Sequence, residues 1–147
     1  MPGERYVVGM DSSTQSVKAI TWTADGTPRA EGRAPHAIST PAPRHAEQNA
    51  DDWWTAAQAA LRMVTEQVDP GLIDGIAISN QRETMVLLDA DERPLAPATL
   101  WLDGRAHEMV DVLASEVGRE ELHAISGKPV DVIPCVYRLR YFREHQP

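Results

Sequence analysis

A polar segment directly follows the first apolar run of the chain, and its residue types could hold an anion. The run over residues 6–11 (YVVGMD) ends in Asp11, after which come Ser12, Ser13, Thr14, Gln15, Ser16 and, two residues later, Lys18. A carboxylate at the tip of a strand can bind Mg²⁺, hydroxyls and turn amides can donate to phosphate oxygens, and a lysine adds a positive charge. The alternative is an ordinary hydrogen-bonded hairpin turn with an exposed lysine, because such Ser/Thr-rich turns are common.

A second polar segment lies between two apolar runs, at residues 79–84 (SNQRET). The guanidinium of Arg82 only donates and the carboxylate of Glu83 only accepts, so the pair can grip the hydroxyls of a polyol from two sides. The alternative is a solvated turn with an ion pair of little energetic value. On spacing alone, the solvated turn is the favoured interpretation.

A third segment, residues 100–105 (LWLDGR), combines an indole with a carboxylate. Trp101 could stack on the apolar face of a sugar while Asp103 accepts from its hydroxyls. Equally, Trp101 could belong to the core and Asp103 could cap a helix that begins near Gly104. We assign Trp53 and Trp54 to packing, and find no metal-ligand spacing between any histidine and the single cysteine.

Composition narrows the class of protein. The chain has 147 residues, of which 42% are hydrophobic and 24% charged, enough for a packed domain or part of a larger one. Its net charge of −8 argues against general affinity for nucleic acid. A single cysteine excludes an intrachain disulfide, and neither a signal peptide nor a membrane span is apparent. We expect a soluble, cytoplasmic protein.

The elements that would position these segments can be read from the hydrophobic pattern. Residues 6–11, 17–24 and 28–36 indicate a three-stranded antiparallel meander, with a turn at Asp25-Gly26. A helix follows, capped by Asn49 or Asp51 and stopped by Pro70-Gly71. Its apolar face would contain Trp54, Ala57, Leu61, Val64 and Val68.

The second half of the chain predicts further strands and helices. Residues 73–79, 85–89 and 98–102 are short apolar runs typical of strands, and residues 105–117 and 134–144 indicate helices. The order of meander, helix and strand favours an α/β fold with a mixed sheet.

Taken in order, these segments resemble the N-terminal part of the FGGY-type carbohydrate kinases, the family of xylulokinase and glycerol kinase. Residues 11–18 (DSSTQSVK) resemble the first phosphate motif of the family, and residues 45–54 (HAEQNADDWW) its "E-Q-x-P-x-x-W-W" segment. Residues 79–84 are similar to the substrate-contacting stretch of glycerol kinases, whereas residues 100–105 are closer to the "L-W-x-D-x-R" of pentulose kinases. The likeness runs from about Tyr6 to the C-terminus.

The resemblance implies an actin-like, ribonuclease H-like fold with ATP and Mg²⁺ in a cleft between two domains. It assigns Asp11 to positioning Mg²⁺ or the γ-phosphate. It assigns the phosphates to Ser13, Thr14, Gln15, Ser16 and Lys18. The residues that it places against the sugar or polyol are Gln81, Arg82, Glu83, Trp101 and Asp103.

The chain departs from the family pattern in two respects. Serine stands at positions 13 and 16, where members often have the glycine that lets a backbone approach phosphate closely. Family enzymes also continue well beyond 147 residues, and neither their catalytic aspartate nor their adenosine pocket has a match here. We therefore expect residues 1–147 to be an incomplete first domain without the second, inactive alone, with an open sheet edge that favours self-association or homo-oligomers.

Xylulokinase-like phosphorylation of a pentulose by ATP is the favoured hypothesis, and a glycerol kinase-like activity, suggested by residues 81–84, is the alternative. A non-catalytic remnant or binding module is a hypothesis of a different class. A third, another actin-like ATPase such as a polyphosphatase or chaperone domain, is disfavoured by Trp101, since those proteins need no sugar-facing indole.

Overall fold

The protein is described from a computed structural model, which covers residues 4–146. The chain folds into two compact units. The first, here called the sheet unit, contains residues 4–38 and 49–81. The second, here called the helical unit, contains residues 39–48 and 82–146.

The sheet unit is a four-stranded mixed sheet with a helix on one face. Its strands are β1 (Tyr6–Ser12), β2 (Ser16–Trp22), β3 (Pro28–Pro35) and, after β4 of the helical unit, β5 (Ile73–Asn80). The strand order is β3-β2-β1-β5, with β1 antiparallel to β2, β2 antiparallel to β3, and β5 parallel to β1. The predicted meander and mixed sheet are therefore confirmed.

Helix α1 (Ala50–Thr65) packs on β2 and β3, and Asn49 caps it by accepting from the backbone N–H of Asp51 at 3.2 Å. The residues that it buries are small: Ala56, Ala57, Ala60 and Val64. They face Val8, Val17, Ala19, Ala30 and Ala34 of the sheet. Small side chains are required because helix and sheet approach closely, and a Cβ on Gly32 would lie 2.1 Å from the carbonyl oxygen of Ala60.

Two expectations about this helix were wrong. Trp54 is 66% exposed, so it does not pack in the core. The buried face of the helix is formed mainly by alanines, and the Trp54 indole lies outside that face. The helix also ends at Thr65, several residues before Pro70, which instead begins a short 3₁₀ turn (Pro70–Leu72). Val68 still packs against the core from beyond the helix end.

The helical unit contains a two-residue antiparallel pair, β4 (Glu47–Gln48) with β6 (Ala98–Thr99). Three helices follow: α2 (His107–Val117), α3 (Arg119–Ser126) and α4 (Cys135–His145). Ala106, Met109 and Tyr137 form their buried cluster. The predicted helices over 105–117 and 134–144 thus correspond to α2 and α4.

Two strand predictions for this unit were wrong, because the segments pair over only one or two residues. Residues 85–89 form isolated bridges, Met85 with Thr99 and Leu88 with Pro94, and the predicted strand 98–102 is reduced to β6. Helix α3 was not predicted; Leu122 is its one partly buried residue, and the others are exposed. Within residues 4–146, no helix is long and apolar enough to cross a membrane.

Candidate functional site

The hairpin between β1 and β2 places a carboxylate directly opposite a lysine. Asp11 pairs with Lys18 across the two strands, so both side chains lie on the sheet face opposite α1. The hairpin closes through the Ser13 N–H, which donates to the carbonyl of Ser16 at 3.0 Å. The Ser13 hydroxyl donates back to the Asp11 carboxylate. The segment is thus a hydrogen-bonded turn in which the exposed Asp11 carboxylate lies beside partly buried serine and threonine residues.

Two of the predicted phosphate ligands have partners on the neighbouring strand. The Lys18 ammonium lies 3.1 Å from the carboxylate of Glu31, with both side chains about half exposed. The Ser16 hydroxyl is buried and accepts from Nε of Arg33 at 3.1 Å. Both contacts hold the polar end of the hairpin against β3, while Lys18 remains accessible.

The serines at positions 13 and 16 do not strain the hairpin. Among the residues that the structure covers, only Arg44, Glu83 and Glu92 combine a side chain with a positive φ. The backbone at both serines is therefore one that any residue adopts, and the glycine common in the family is not needed for the turn itself.

A shallow depression of about 420 Å³ lies beside Asp11 on the same sheet face. The Trp22 indole lies over Gly9, whose added Cβ would be 3.5 Å from Nε1. The lining residues include Gly9, Asp11, Lys18, Ile20, Trp22 and Ser79. The carboxylate, the lysine and a serine therefore share one open surface in the sheet unit.

Gln81 belongs to the sheet unit and is held at the end of β1. Its backbone N–H donates to the carbonyl of Ser12 at 3.1 Å and to Oδ1 of Asn80 at 2.8 Å. This extends the pairing between β5 and β1 by one residue. Arg82, the next residue, begins the second segment of the helical unit.

Arg82 and Glu83 line a pocket of about 110 Å³ in the helical unit. Arg82 is exposed, whereas the side chain of Glu83 is only 8% exposed and forms an ion pair with Lys128. The same carboxylate accepts from the backbone N–H of Cys135, the first residue of α4, at 2.9 Å. A carboxylate is favoured there by the positive end of the helix dipole.

Trp101 lies at the surface of the helical unit, with 41% of its area exposed. The interpretation that assigns it to the core is therefore wrong. Its backbone N–H donates to the hydroxyl of Thr84 at 3.3 Å, which connects the third polar segment to the second. An exposed indole next to the Arg82–Glu83 segment is an arrangement that suits stacking on a sugar.

Asp103, in contrast, is completely buried. Its carboxylate accepts from the Ala46 N–H at 2.7 Å, from the Arg105 N–H at 3.1 Å and from the Arg105 guanidinium at 2.8 and 2.9 Å. Arg105 also reaches Glu47 at 2.6 Å. Asp103 does not cap α2, because the N-cap residue of that helix is Ala106, which forms no side-chain hydrogen bond.

The pKa of Asp103 reflects this network. Burial by itself raises the pKa, but the hydrogen bonds from Arg105 and from Ala46 outweigh it and keep the pKa below its ordinary value. The carboxylate is thus held ionised inside the unit, tying the loop after Trp101 to β4. Its contact with a sugar stays a prediction.

Sequence reasoning missed three residues around Glu83: Lys128, Cys135 and Arg138. They lie 45 to 55 positions further along the chain. No spacing rule connects them to Glu83, and only the packing of α4 brings them together. The sequence signal for these partners was limited to Pro134, which marks the start of α4 and so the position of Cys135 and Arg138 on that helix.

The hairpin offers Mg²⁺ one carboxylate ligand, that of Asp11. Over residues 4–146, no three His, Cys, Asp or Glu side chains come together to coordinate a metal by themselves. Mg²⁺ is usually held by one or two carboxylates together with phosphate oxygens and water. A single exposed carboxylate beside hydroxyls and a lysine, as at Asp11, meets that requirement.

Solved structures define the class of protein. A xylulose kinase from Rhodospirillum rubrum matches 97% of this chain with a TM-score of 0.92 and 30% identity, and the match covers 30% of that chain. A xylulose kinase from Brucella ovis matches 97% with a TM-score of 0.88 and 26% identity, over 30% of its own length. The fold is therefore that of the actin-like sugar kinases, as the sequence predicted.

The chain belongs to the FGGY family of carbohydrate kinases, whose N-terminal domain matches residues 6–147. A glycerol kinase from Methylobacterium radiotolerans is 32% identical over 96% of this chain, and a xylulose kinase from Streptomyces rubiginosus is 34% identical over 96%. The chain spans 29% of the length of each of these two relatives. The family resemblance read from the motifs is confirmed.

Proposed function

We propose that this chain supplies the phosphate-facing hairpin and the sugar-facing segments of an ATP-dependent carbohydrate kinase, with a pentulose such as xylulose as the favoured substrate. The observation that carries the proposal is the register of the first hairpin. Asp11 lies opposite Lys18, next to a hydroxyl-rich turn, in a chain of the FGGY family.

On the nucleotide side, the chain would act by positioning and by charge. Phosphoryl transfer depends mainly on aligning the groups and on neutralising the charge of the phosphoryl oxygens. Mg²⁺, when bound, supplies positive charge to those oxygens. The Asp11 carboxylate would orient the metal, Lys18 would add a second positive charge, and Ser13 and Thr14 would line the phosphates.

On the sugar side, Arg82 and Trp101 are the accessible groups, and Glu83 is mostly enclosed. The Arg82 guanidinium can donate to vicinal hydroxyls, while the Trp101 indole stacks on the apolar face of the ring or chain. Gln81, whose backbone is fixed at the end of β1, is a further candidate for contact with the substrate.

Glycerol is the alternative substrate. Its support is the run from Gln81 to Thr84, which is similar to glycerol kinases, and a glycerol kinase at 32% identity among the relatives. The "L-W-x-D-x-R" pattern at residues 100–105 and the match to the Rhodospirillum xylulose kinase support the pentulose.

Binding measured by NMR tests the nucleotide half of the proposal. Titration of the ¹⁵N-labelled chain with ATP and Mg²⁺ should shift the amides of residues 12–18. Asp11→Asn should weaken this binding about tenfold, the effect of losing one charge-assisted contact. Asp25→Asn, in the turn of the next hairpin, is the matched control and should bind as the wild type does. Shifts that avoid the first hairpin would contradict the proposal.

A parallel titration with D-xylulose and with glycerol tests the sugar half. The pentulose should shift the amides of residues 82–84 and the Trp101 indole N–H at lower concentration than glycerol does. The reverse order would favour the glycerol kinase alternative. Sugar binding with no response to ATP and Mg²⁺ would favour the binding module instead.

A further inference from the structure

The backbone of Glu83 has an unusual conformation that its neighbours must maintain. Its φ is +59°, in the left-handed region that side-chain-bearing residues seldom adopt. Glycine and asparagine tolerate this region, whereas glutamate has no local hydrogen bond to offset the strain. A left-handed residue at a candidate site therefore needs contacts from elsewhere to hold it.

Those contacts come from α4 and the segment before it. The Glu83 carboxylate contacts Lys128 and accepts from the Cys135 N–H at 2.9 Å. Its backbone carbonyl accepts from the Arg138 guanidinium, and the Cys135 thiol lies 3.4 Å from the same oxygen. Both the side chain and the main chain of Glu83 are thus fixed to one helix end.

Arg138 is the most unusual of these partners because it is fully buried. Besides Glu83, its guanidinium donates to the carbonyl of Ile133 at 3.2 Å and lies 3.4 Å from Sγ of Cys135, while its Nε has no hydrogen-bond partner within the described residues. Within residues 4–146 it forms no ion pair at 4 Å or less with a carboxylate. Burying a guanidinium without a carboxylate is costly, so its two carbonyl contacts must matter for the local structure.

We infer that Arg138 is a positioning residue that holds the Arg82–Glu83 turn in its left-handed conformation. By fixing the Glu83 carbonyl, it would set the direction in which the chain enters the pocket lined by Arg82, Glu83 and Lys128. The consequence for sugar binding rests on the proposed function, whereas the conformational consequence does not.

The test compares two arginines on the same helix. Arg138→Met removes the buried guanidinium but keeps an unbranched side chain. Arg140→Met is the matched control, because the ion pairs that Arg140 forms within residues 4–146 are with Glu116 and Glu144, neither of which belongs to the turn. Both variants are made in the 147-residue chain.

Two NMR measurements report on the turn without any ligand. A positive φ shortens the distance between the amide and α protons of the same residue, so Glu83 should show a strong cross-relaxation peak between them. The Met85 amide, which donates to Thr99 at 3.0 Å just after the turn, reports local opening by hydrogen exchange. In Arg138→Met we expect the Glu83 peak to weaken and Met85 to exchange about tenfold faster, the factor for one charged hydrogen bond. Arg140→Met should match the wild type.

A folded Arg138→Met variant with an unchanged Glu83 peak and unchanged Met85 exchange would overturn the inference. If that variant does not fold, Arg138→Lys takes its place. Lysine keeps the charge but cannot span two carbonyls in a planar fork, so Met85 exchange should still accelerate. Exchange equal to the wild type in Arg138→Lys would then overturn the inference.

A D-xylulose titration of the same variants separates this inference from the proposed function. Weaker binding in Arg138→Met but not in Arg140→Met would support both. If the wild type binds neither D-xylulose nor glycerol, the proposed substrate is wrong, and the two NMR signatures still decide the role of Arg138. An altered turn with unchanged sugar affinity would overturn the link between the turn and the substrate.

Discussion

At the scale of single residues, the most demanding feature is the buried charge network of Asp103, Arg105 and Glu47. The Arg105 side chain is 4% exposed and bridges both carboxylates, while its guanidinium carbon lies 5.7 Å from the centre of the Phe142 ring. One cation between two anions leaves a net negative charge inside the unit. The Ala46 N–H donates to Asp103 and offsets part of it.

Arg105→Met should therefore be strongly destabilising. It leaves Asp103 buried without its cation, which typically costs about 3–5 kcal/mol of unfolding free energy. Arg119→Met is the control: Arg119 pairs with Asp111 at 2.8 Å, but both side chains are more than half exposed, so the loss should stay below about 1 kcal/mol. Urea unfolding of both variants measures the difference. Equal effects would mean that the buried network contributes no more than a surface pair.

At the scale of elements, the spacing between α1 and the sheet depends on one glycine. Gly32 lies on β3 under the helix, where a Cβ would meet the backbone oxygen of Ala60 at 2.1 Å and Cβ of Met63 at 2.8 Å. Because the nearest atom is helix backbone, no side-chain rotation can relieve the clash. The helix itself would have to move away from the sheet.

Gly32→Ala should thus destabilise the sheet unit by at least about 2 kcal/mol, as overpacking of a dense core does. Gly75→Ala provides the matched control on β5, since no atom of the described residues other than its chain neighbours lies within 4 Å of the added Cβ. That substitution should change the unfolding free energy by less than about 1 kcal/mol. Thermal unfolding with secondary-structure detection measures both. A Gly32→Ala variant as stable as Gly75→Ala would show that α1 leaves room for a Cβ at position 32 of the sheet.

At the scale of the whole molecule, the feature that bears on association is the edge strand β5. Within residues 4–146, β5 pairs with β1 on one side only, and its Ile76 and Ile78 are 52% and 63% exposed. An unpaired edge with apolar side chains is a template for pairing with another chain.

We accordingly expect the protein to self-associate with rising concentration, and Ile78→Lys to reduce that association by adding charge at the edge. Ile125→Lys is the control, because Ile125 is 73% exposed but belongs to helix α3 and not to a strand. Light scattering over a concentration series distinguishes the two. A wild-type protein that stays monomeric at every concentration would contradict this expectation.

The local pattern was enough to predict those parts of the structure that depend on neighbours in sequence. The meander, the turn at Asp25-Gly26, a helix cap at Asn49 or Asp51 and the hairpin that carries Asp11 and Lys18 follow from alternation, turn chemistry and capping, which act within a few residues. Each motif is also a short local segment, so the order of the motifs along the chain was enough to indicate the family.

Only the tertiary structure decided the role of residues whose partners are distant in sequence. The burial of Asp103 against Ala46, the exposure of Trp54 and Trp101, and the hydrogen bond from Arg138 to Glu83 depend on contacts between distant segments of the chain. Hydrophobic periodicity shows that a helix has an apolar face, but the width of the gap that the face must fill is set by the opposing element. Contacts across 50 or more positions therefore emerge from packing, because local propensity contains no information about them.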